Sequence, residues 1–225
     1  MKFFGLYILL SILTRNPLLA LVILLLVFLF AERRFIGILP DVFQPWRRAN
    51  RVGQLKREIS VNPANAEAYL ELGEIYFRQE KYSQAASFLE NAAGKMAGHP
   101  LFHLYLGASY YYLGRIEEGK KEIEEAIAAN PRVSQGEPYL YLAAICLEQK
   151  QSGESVEHIF KQLMLYGSPK VFYQAGQMFL QANDQQRARR LFRETIENYE
   201  ACRGAMRRVY RKWAFLSRIS LLSMK

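Results

Sequence analysis

Residues 72–76, LGEIY, recur 34 residues later as LGASY at residues 106–110. Small and aliphatic residues follow each copy at equal intervals, as Ala85, Leu89 and Ala92 after the first and as Gly119, Ile123 and Ala126 after the second. Asn-Pro stands at residues 62–63, before the first unit, and at residues 130–131, where the second closes. A period of this length predicts repeat units stacked in an array, because one unit alone cannot bury its apolar face.

Two further units are less regular. The third contains Tyr139, Leu142, Ala143 and Ile159, with Cys146 at its tyrosine position, and the fourth contains Phe172, Gly176, Phe179, Ala188 and Phe192. Upstream, residues 55–63 resemble the end of a second repeat helix, so we expect a leading half-repeat that caps the stack. The pattern predicts no strand and eight helices, near 65–79, 83–96, 101–113, 116–129, 138–150, 153–165, 171–182 and 185–199.

The pattern resembles the tetratricopeptide repeat, whose unit is two antiparallel helices over 34 residues. The resemblance implies an all-α solenoid of about three to four helix pairs over residues 62–200, with a concave groove that binds a partner peptide or helix. The alternative is that some groove residues pack against a helix of the same chain. The matching positions are Glu67, Leu70, Glu74, Phe77 and Arg78 in the first repeat, Leu101, Leu104, Ala108, Tyr111 and Tyr112 in the second, and Leu140, Leu147, Tyr173 and Gln177 later.

Two more specific resemblances transfer only in part. One subfamily of these repeats binds chaperone C-termini through a clamp of lysine and asparagine, but Leu70 and Glu74 stand at the matching positions, which disfavours that partner. A bacterial regulator of lipopolysaccharide assembly also combines an N-terminal span with such repeats, followed by a metal-binding module with four cysteines. This chain has two cysteines in all, so only the anchor-plus-repeat architecture is shared.

The N-terminal segment, residues 1–39, predicts a membrane anchor. Residues 3–30 are apolar apart from Ser11 and residues 14–16, a run longer than the roughly 20 residues that a helix needs to cross a bilayer. No small-x-small cleavage site follows, which favours a retained anchor over a cleaved signal peptide.

The geometry of this anchor depends on a break near residues 14–17. One continuous helix would place Arg15 near the bilayer centre, at a cost of about 3 kcal/mol or more, whereas Asn16 and Pro17 form a good helix start. We therefore expect two helices, 3–13 and 17–38. A shallow hairpin or bent anchor is preferred, with a straight transmembrane span as the alternative.

Basic residues indicate the orientation. Only Lys2 precedes the apolar run, whereas a basic juxtamembrane segment, residues 40–61, follows it. The positive-inside rule then places the repeats in the cytoplasm. The leading hypothesis is a tether at the inner membrane of a bacterium. Near the anchor, the basic residues expected to face lipid are Arg33, Arg34, Arg47 and Arg48.

Residues 201–225 carry seven basic side chains and no acidic one. Met206, Tyr210, Trp213 and Leu216 follow each other at intervals of three or four, which predicts a basic amphipathic helix. This helix could cap the last repeat, contact anionic lipid, or do both. The residues expected to face lipid here are Arg207, Arg208, Arg211 and Lys212.

Signals for catalysis are weak. Cys146 and Cys202 form no CxxC pair, and His103 stands where the repeat has a tryptophan, so we interpret it as a core residue. The glutamates of residues 117–125 alternate with lysines, as on a solvated helix face. We therefore predict a membrane-anchored scaffold that binds protein and lipid, without catalytic activity, cofactor or metal. The net charge of +9 motivates one alternative, a basic membrane-associated protein that binds nucleic acid. A second alternative, based on the anchor-plus-repeat architecture alone, is a regulator of envelope or lipopolysaccharide assembly.

Overall fold

The computed structural model describes residue 7 and residues 10–31, 44–150 and 153–224. The described part of the chain contains helices and no strand, as the sequence predicts. The eight helices predicted between residues 65 and 199 are confirmed, with bounds that differ by at most two residues. The α-helices are α1 (Pro17–Ala31), α2 (Gln44–Val61), α3 (Ala66–Arg78), α4 (Tyr82–Met96), α5 (Pro100–Tyr112), α6 (Ile116–Ala129), α7 (Glu137–Glu148), α8 (Gly153–Tyr166), α9 (Pro169–Gln181), α10 (Gln185–Ala201) and α11 (Gly204–Ser223).

Helices α3 to α10 form four consecutive pairs, and each pair stacks on the next. The glycine of the repeated pattern lies where the two helices of a pair cross. A Cβ atom added to Gly107 would lie 2.8 Å from the carbonyl oxygen of Gly119 and 2.9 Å from the amide nitrogen of Ile123. The backbones of α5 and α6 are therefore in contact, which only a residue without a side chain permits.

Large apolar side chains fill the space around these crossings. Leu72, Leu89 and Ile123 are fully buried, as are Phe179 and Phe192 of the last pair. These are the landmark positions of the repeated pattern, so the periodicity that is visible in the sequence is the periodicity of the core.

Helix α2 packs against α3 at the first end of the stack. Leu55 is fully buried in a cluster with Leu72 and Tyr76. At the edge of this contact, Arg51 donates from Nε and from a terminal nitrogen to the two carboxylate oxygens of Glu71, at 2.6 Å each. Such paired bonds fix both position and orientation.

This ion pair predicts a pH-dependent contribution to stability. The hydrogen bond from Arg51 lowers the pKa of Glu71 below its ordinary value of 4.5. A carboxyl group with a lowered pKa stabilises the fold above its unfolded-state pKa, and this contribution is lost as the pH falls through the folded-state value. Both side chains are about two-fifths exposed, so a contribution of about 0.2–1 kcal/mol is expected.

We expect Glu71→Gln to lower the Tm by about 1–3 °C at pH 7. The difference from the wild type should shrink as the pH falls below 4.5. Thermal melts followed by circular dichroism in mild detergent, at a series of pH values, measure this. A difference that stayed constant across the acid range would contradict the assignment.

The junction between the second and third pairs departs from the regular repeat. Ser134, Gln135 and Gly136 all have positive φ, at 47°, 56° and 85°. A Cβ atom on Gly136 would lie 2.7 Å from the carbonyl oxygen of Tyr166, so no other residue fits there. In the third pair, where Cys146 replaces the tyrosine, a cleft of about 490 Å³ opens between α6, α7 and α8. The irregular sequence of this unit thus corresponds to looser packing.

At the other end of the stack, α11 packs against α9 and α10. The rings of Tyr173 and Trp213 lie 5.5 Å apart, and Gln177 donates to the Ser220 hydroxyl at 2.8 Å. Helix α11 therefore takes the place that the first helix of a further pair would occupy.

At the N-terminus, α1 begins at Pro17, and the Asn16 side chain accepts from the amides of Leu18 and Leu19 at 3.0 and 3.3 Å. Arg15, with a φ of 51°, separates α1 from the helical residues 10–14. The rest of the predicted helices 3–13 and 17–38 lies outside the described residues. Within the described residues, no helix has both the length and the apolar character needed to cross a membrane.

Candidate binding groove

A cavity of about 410 Å³ opens on the face formed by α5, α7 and α9, the first helices of three successive pairs. We call it the groove pocket. Tyr112, Glu148 and Gln181 are the last residues of these helices, so the pocket lies where three helices end. Its lining consists of Tyr111, Tyr112, Leu140, Tyr141, Ala144, Leu147, Glu148, Met178, Gln181 and Ala182.

Aromatic side chains extend the pocket toward the first pair. Tyr82 stacks on Tyr112 with ring centroids 4.2 Å apart, and Phe77 lies 6.1 Å from Tyr112 and 5.5 Å from Tyr105. Tyr111 and Tyr141 complete this aromatic cluster at 6.1 Å from each other. Tyr112 is 49% exposed, so the cluster presents ring surface to solvent.

Carboxylates surround the aromatic cluster. The Tyr111 hydroxyl donates to Oε1 of Glu148. Burial, and then this hydrogen bond, raise the pKa of Tyr111. Burial also raises the pKa of Tyr112, and the negative charges of Glu137 and Glu80 raise it further. The tyrosines therefore stay neutral at physiological pH, in an environment that disfavours added negative charge.

One cation of the chain itself already lies against the cluster. Arg78, the last residue of α3, donates to the Tyr105 hydroxyl at 3.1 Å and carries its guanidinium 6.0 Å from the centre of that ring. Its Nε also pairs with Glu74 at 2.8 Å. A guanidinium, an aromatic ring and a carboxylate thus combine at the end of the first helix of the first pair.

The structure brings several predicted groove residues together. Tyr111, Tyr112, Leu140 and Leu147 line the groove pocket, and Phe77 belongs to the aromatic cluster beside it. Glu67 is exposed on α3, away from the residues that line the pocket. Leu70 and Leu101 are partly buried against the core, and Glu74 and Arg78 form the ion pair described above.

Four further predicted groove residues also lie outside the pocket lining. Leu104 and Ala108 are core residues, 1% and 0% exposed, because α5 contacts α3, α4, α6 and α7 and is covered on all sides except at its carboxyl end. Tyr173 and Gln177 contact Trp213 and Ser220 of α11, so for these two the intramolecular alternative is correct.

Sequence reasoning missed Tyr82, which stacks on Tyr112, and six residues of the pocket lining: Tyr141, Ala144, Glu148, Met178, Gln181 and Ala182. A signal for Gln181 was present, because it follows Gly176 by five residues just as Tyr112 follows Gly107. Tyr82 is the first residue of α4, the second helix of the first pair. The groove residues were predicted only on the first helix of each pair.

The predicted lipid-facing residues are spread over both ends of the chain. Arg33 and Arg34 lie outside the described residues, whereas Arg47 is exposed and Arg48 half-buried on α2. On α11, Arg207 and Arg208 are exposed and Arg211 and Lys212 half-buried. Arg207, with Arg211, lowers the pKa of Tyr199 by hydrogen bonding and charge.

The net positive charge of the chain comes from its two terminal segments. Residues 62–200 carry eighteen acidic and fourteen basic side chains, a net charge of −4. Residues 1–61 have a net charge of +6, and residues 201–225 have a net charge of +7. The repeats themselves are therefore acidic.

His103 is a core residue, as predicted. It is 8% exposed, with Nδ1 2.7 Å from Oε2 of Glu122 and Nε2 2.6 Å from the carbonyl oxygen of Ala97. It thus joins α5 to α6 and to the preceding loop. Among the described residues, no three His, Cys, Asp or Glu side chains are placed to hold a metal ion.

The stacked helix pairs and the pocket on their shared face define an α-solenoid repeat protein. Two segments match family models described as tetratricopeptide repeat, residues 52–100 and residues 170–200. The chain therefore contains tetratricopeptide repeats in both of these segments, and neither family model describes an enzyme.

Solved structures share this fold. One crystal structure of MamA aligns with a TM-score of 0.54 at 16% identity, over 73% of this chain and 98% of that one. A second MamA structure aligns with a TM-score of 0.54 at 15% identity, over 69% and 85% of the two chains. No curated protein matches the sequence. At this level of identity the likeness concerns the fold alone.

Proposed function

We propose that this protein is a membrane-tethered scaffold that holds a segment of a partner protein in the groove pocket. The observation that carries the proposal is the pocket itself, where the rings of Tyr111 and Tyr112 at the end of α5 remain accessible beside the ends of α7 and α9. Tyrosine combines a large rigid ring with a polar tip and is frequent among the residues that dominate binding energy. A pocket of this composition supplies contact area for binding rather than a pair of acid and base groups for catalysis.

Helix α1 supports a membrane tether. Leu18, Leu21, Leu25 and Phe28 are each at least half exposed. Transfer of such side chains from water to hydrocarbon is favourable by roughly 1 kcal/mol or more each. Helix α1 begins at Pro17, directly after the break at Arg15, whose φ is 51°. This break favours the bent or hairpin anchor over a straight span.

Helix α11 supports a second contact with lipid. Phe215, Ile219 and Leu222 are exposed on the side opposite the buried Tyr210 and Ala214, and the helix carries no acidic residue. With the basic residues that follow the apolar run, this favours a protein of the bacterial inner membrane whose repeats face the cytoplasm.

The distribution of charge favours a protein partner over nucleic acid. The repeats have a net charge of −4, and Glu148 is the charged residue of the pocket lining. Such a surface repels phosphate groups, whereas nucleic-acid interfaces are rich in basic side chains.

Photocrosslinking in intact cells tests the scaffold function. With the photoreactive residue benzoylphenylalanine in place of Tyr112, irradiation should give a discrete crosslinked product of higher mass. The same residue in place of Leu165, which is 68% exposed on a second helix, α8, is the matched control and should not give that product.

The product should also disappear when Tyr111→Ala and Leu147→Ala are added to the Tyr112 photoprobe, because both residues line the pocket. Equal crosslinking from the two probe positions, or a product that is insensitive to these substitutions, would rule out the groove pocket as the binding site.

A further inference from the structure

We propose that the groove pocket selects a cationic segment, with a lysine or arginine side chain of the partner inserted between the tyrosine rings and Glu148. This inference rests on the proposed function and adds the chemical class of the ligand. Three independent features of the pocket support it: the helix ends, the carboxylates and the aromatic faces.

The helix ends supply negative potential. The last carbonyl groups of an α-helix lack partners within the helix, and the aligned peptide dipoles place roughly half a negative charge at that end. Tyr112, Glu148 and Gln181 end α5, α7 and α9, and all three line one pocket. The negative ends of three helix dipoles therefore border the same space, and the amides of Gly114, Lys150 and Asn183 donate to one carbonyl group in the last turn of each helix.

Glu148 adds a full charge. It is exposed and accepts from Tyr111 through Oε1. A carboxylate has two oxygens with about four acceptor positions, so Glu148 can also accept from a ligand ammonium or guanidinium group. Glu80 and Glu137 also raise the pKa of Tyr112. Glu137 already pairs with Lys170 at 3.6 Å, so Glu148 is the carboxylate that remains available to a ligand.

The tyrosine rings attract cations through their electron-rich faces. The first pair shows this arrangement within the chain, because the Arg78 guanidinium lies over the Tyr105 ring and bonds to its hydroxyl. Arg78 follows Gly73 by five residues, just as Tyr112 follows Gly107. At the ends of α5, α7 and α9 the equivalent residues are Tyr112, Glu148 and Gln181, so none of these three positions carries a cation.

Selection from a random twelve-residue peptide library tests this inference. The baits are the full-length protein in detergent as wild type, as Tyr111→Ala with Tyr112→Ala, and as Glu148→Gln. We expect peptides that require the two tyrosines to be enriched in lysine and arginine. For a synthetic copy of a selected peptide, Glu148→Gln should weaken binding by at least about fivefold, and added salt should weaken it further.

The matched control is Glu197→Gln, which removes the same charge from an exposed position on α10 and should leave the Kd unchanged. Three results would overturn the inference while the groove function stands: tyrosine-dependent peptides without basic enrichment, no effect of Glu148→Gln, or an equal effect of Glu197→Gln. If no selected peptide depends on Tyr111 and Tyr112, both the inference and the proposed function fail.

Discussion

Gly107→Ala is expected to destabilise the repeats by about 2–3 kcal/mol and to lower the Tm by roughly 5–10 °C. The added methyl group would meet the carbonyl oxygen of Gly119 at 2.8 Å and the amide nitrogen of Ile123 at 2.9 Å. Both are backbone atoms, so relief requires α5 and α6 to separate, which opens the core on either side. Circular dichroism at 222 nm during heating measures the change.

Gly94→Ala is the matched control. Gly94 lies inside α4, and a Cβ atom at this position meets nothing within 4 Å. Alanine is the better helix former, so this variant should gain up to about 1 kcal/mol. If Gly107→Ala were as stable as the wild type, the close crossing of α5 and α6 would be refuted.

Leu21→Asp combined with Leu25→Asp is expected to release most of the protein from the membrane. Both residues are more than half exposed in the middle of α1. An aspartate near the centre of an apolar segment costs about 3 kcal/mol, so the fraction that resists a carbonate wash should fall at least about tenfold. Leu165→Asp, the same kind of substitution at one exposed position on α8, is the control and should remain membrane-bound.

Labelling of Cys202 tests which side of the membrane the repeats face. It is half-buried between α10 and α11. In a Cys146→Ser variant, a membrane-impermeant maleimide should label Cys202 only after the cells are lysed. Labelling of intact spheroplasts would reverse the proposed orientation.

If the variant with Leu21→Asp and Leu25→Asp still resists the carbonate wash, another segment holds the protein to the membrane, and α11 would be the first to examine.

The sequence was sufficient to predict the repeat architecture, because the residues that set the period are those that touch at helix crossings. Gly73, Gly107 and Gly176 mark these crossings, and Leu89, Ile123 and Phe192 fill the space opposite them. Each contact joins residues of one unit, so a comparison of two units within the sequence reveals it.

The site was less predictable, because its openness depends on how neighbouring units cover each other. Leu104 and Tyr112 belong to the same helix, yet one is buried by four surrounding helices and the other is half exposed at the helix end. Tyr173 occupies a groove position by sequence, but α11 returns to cover it. Such coverage is set by contacts between distant segments, which the repeat pattern does not encode.

The separation of charge along the chain has a consequence for how the molecule approaches other charged bodies. The acidic repeats lie between two basic segments in the sequence. The surface of an anionic lipid bilayer therefore attracts the terminal segments and repels the repeats. This force acts over a distance of about 8 Å at physiological ionic strength. We expect this attraction to bring the terminal segments to such a surface before any specific contact forms, while the acidic repeats stay accessible to a positively charged partner.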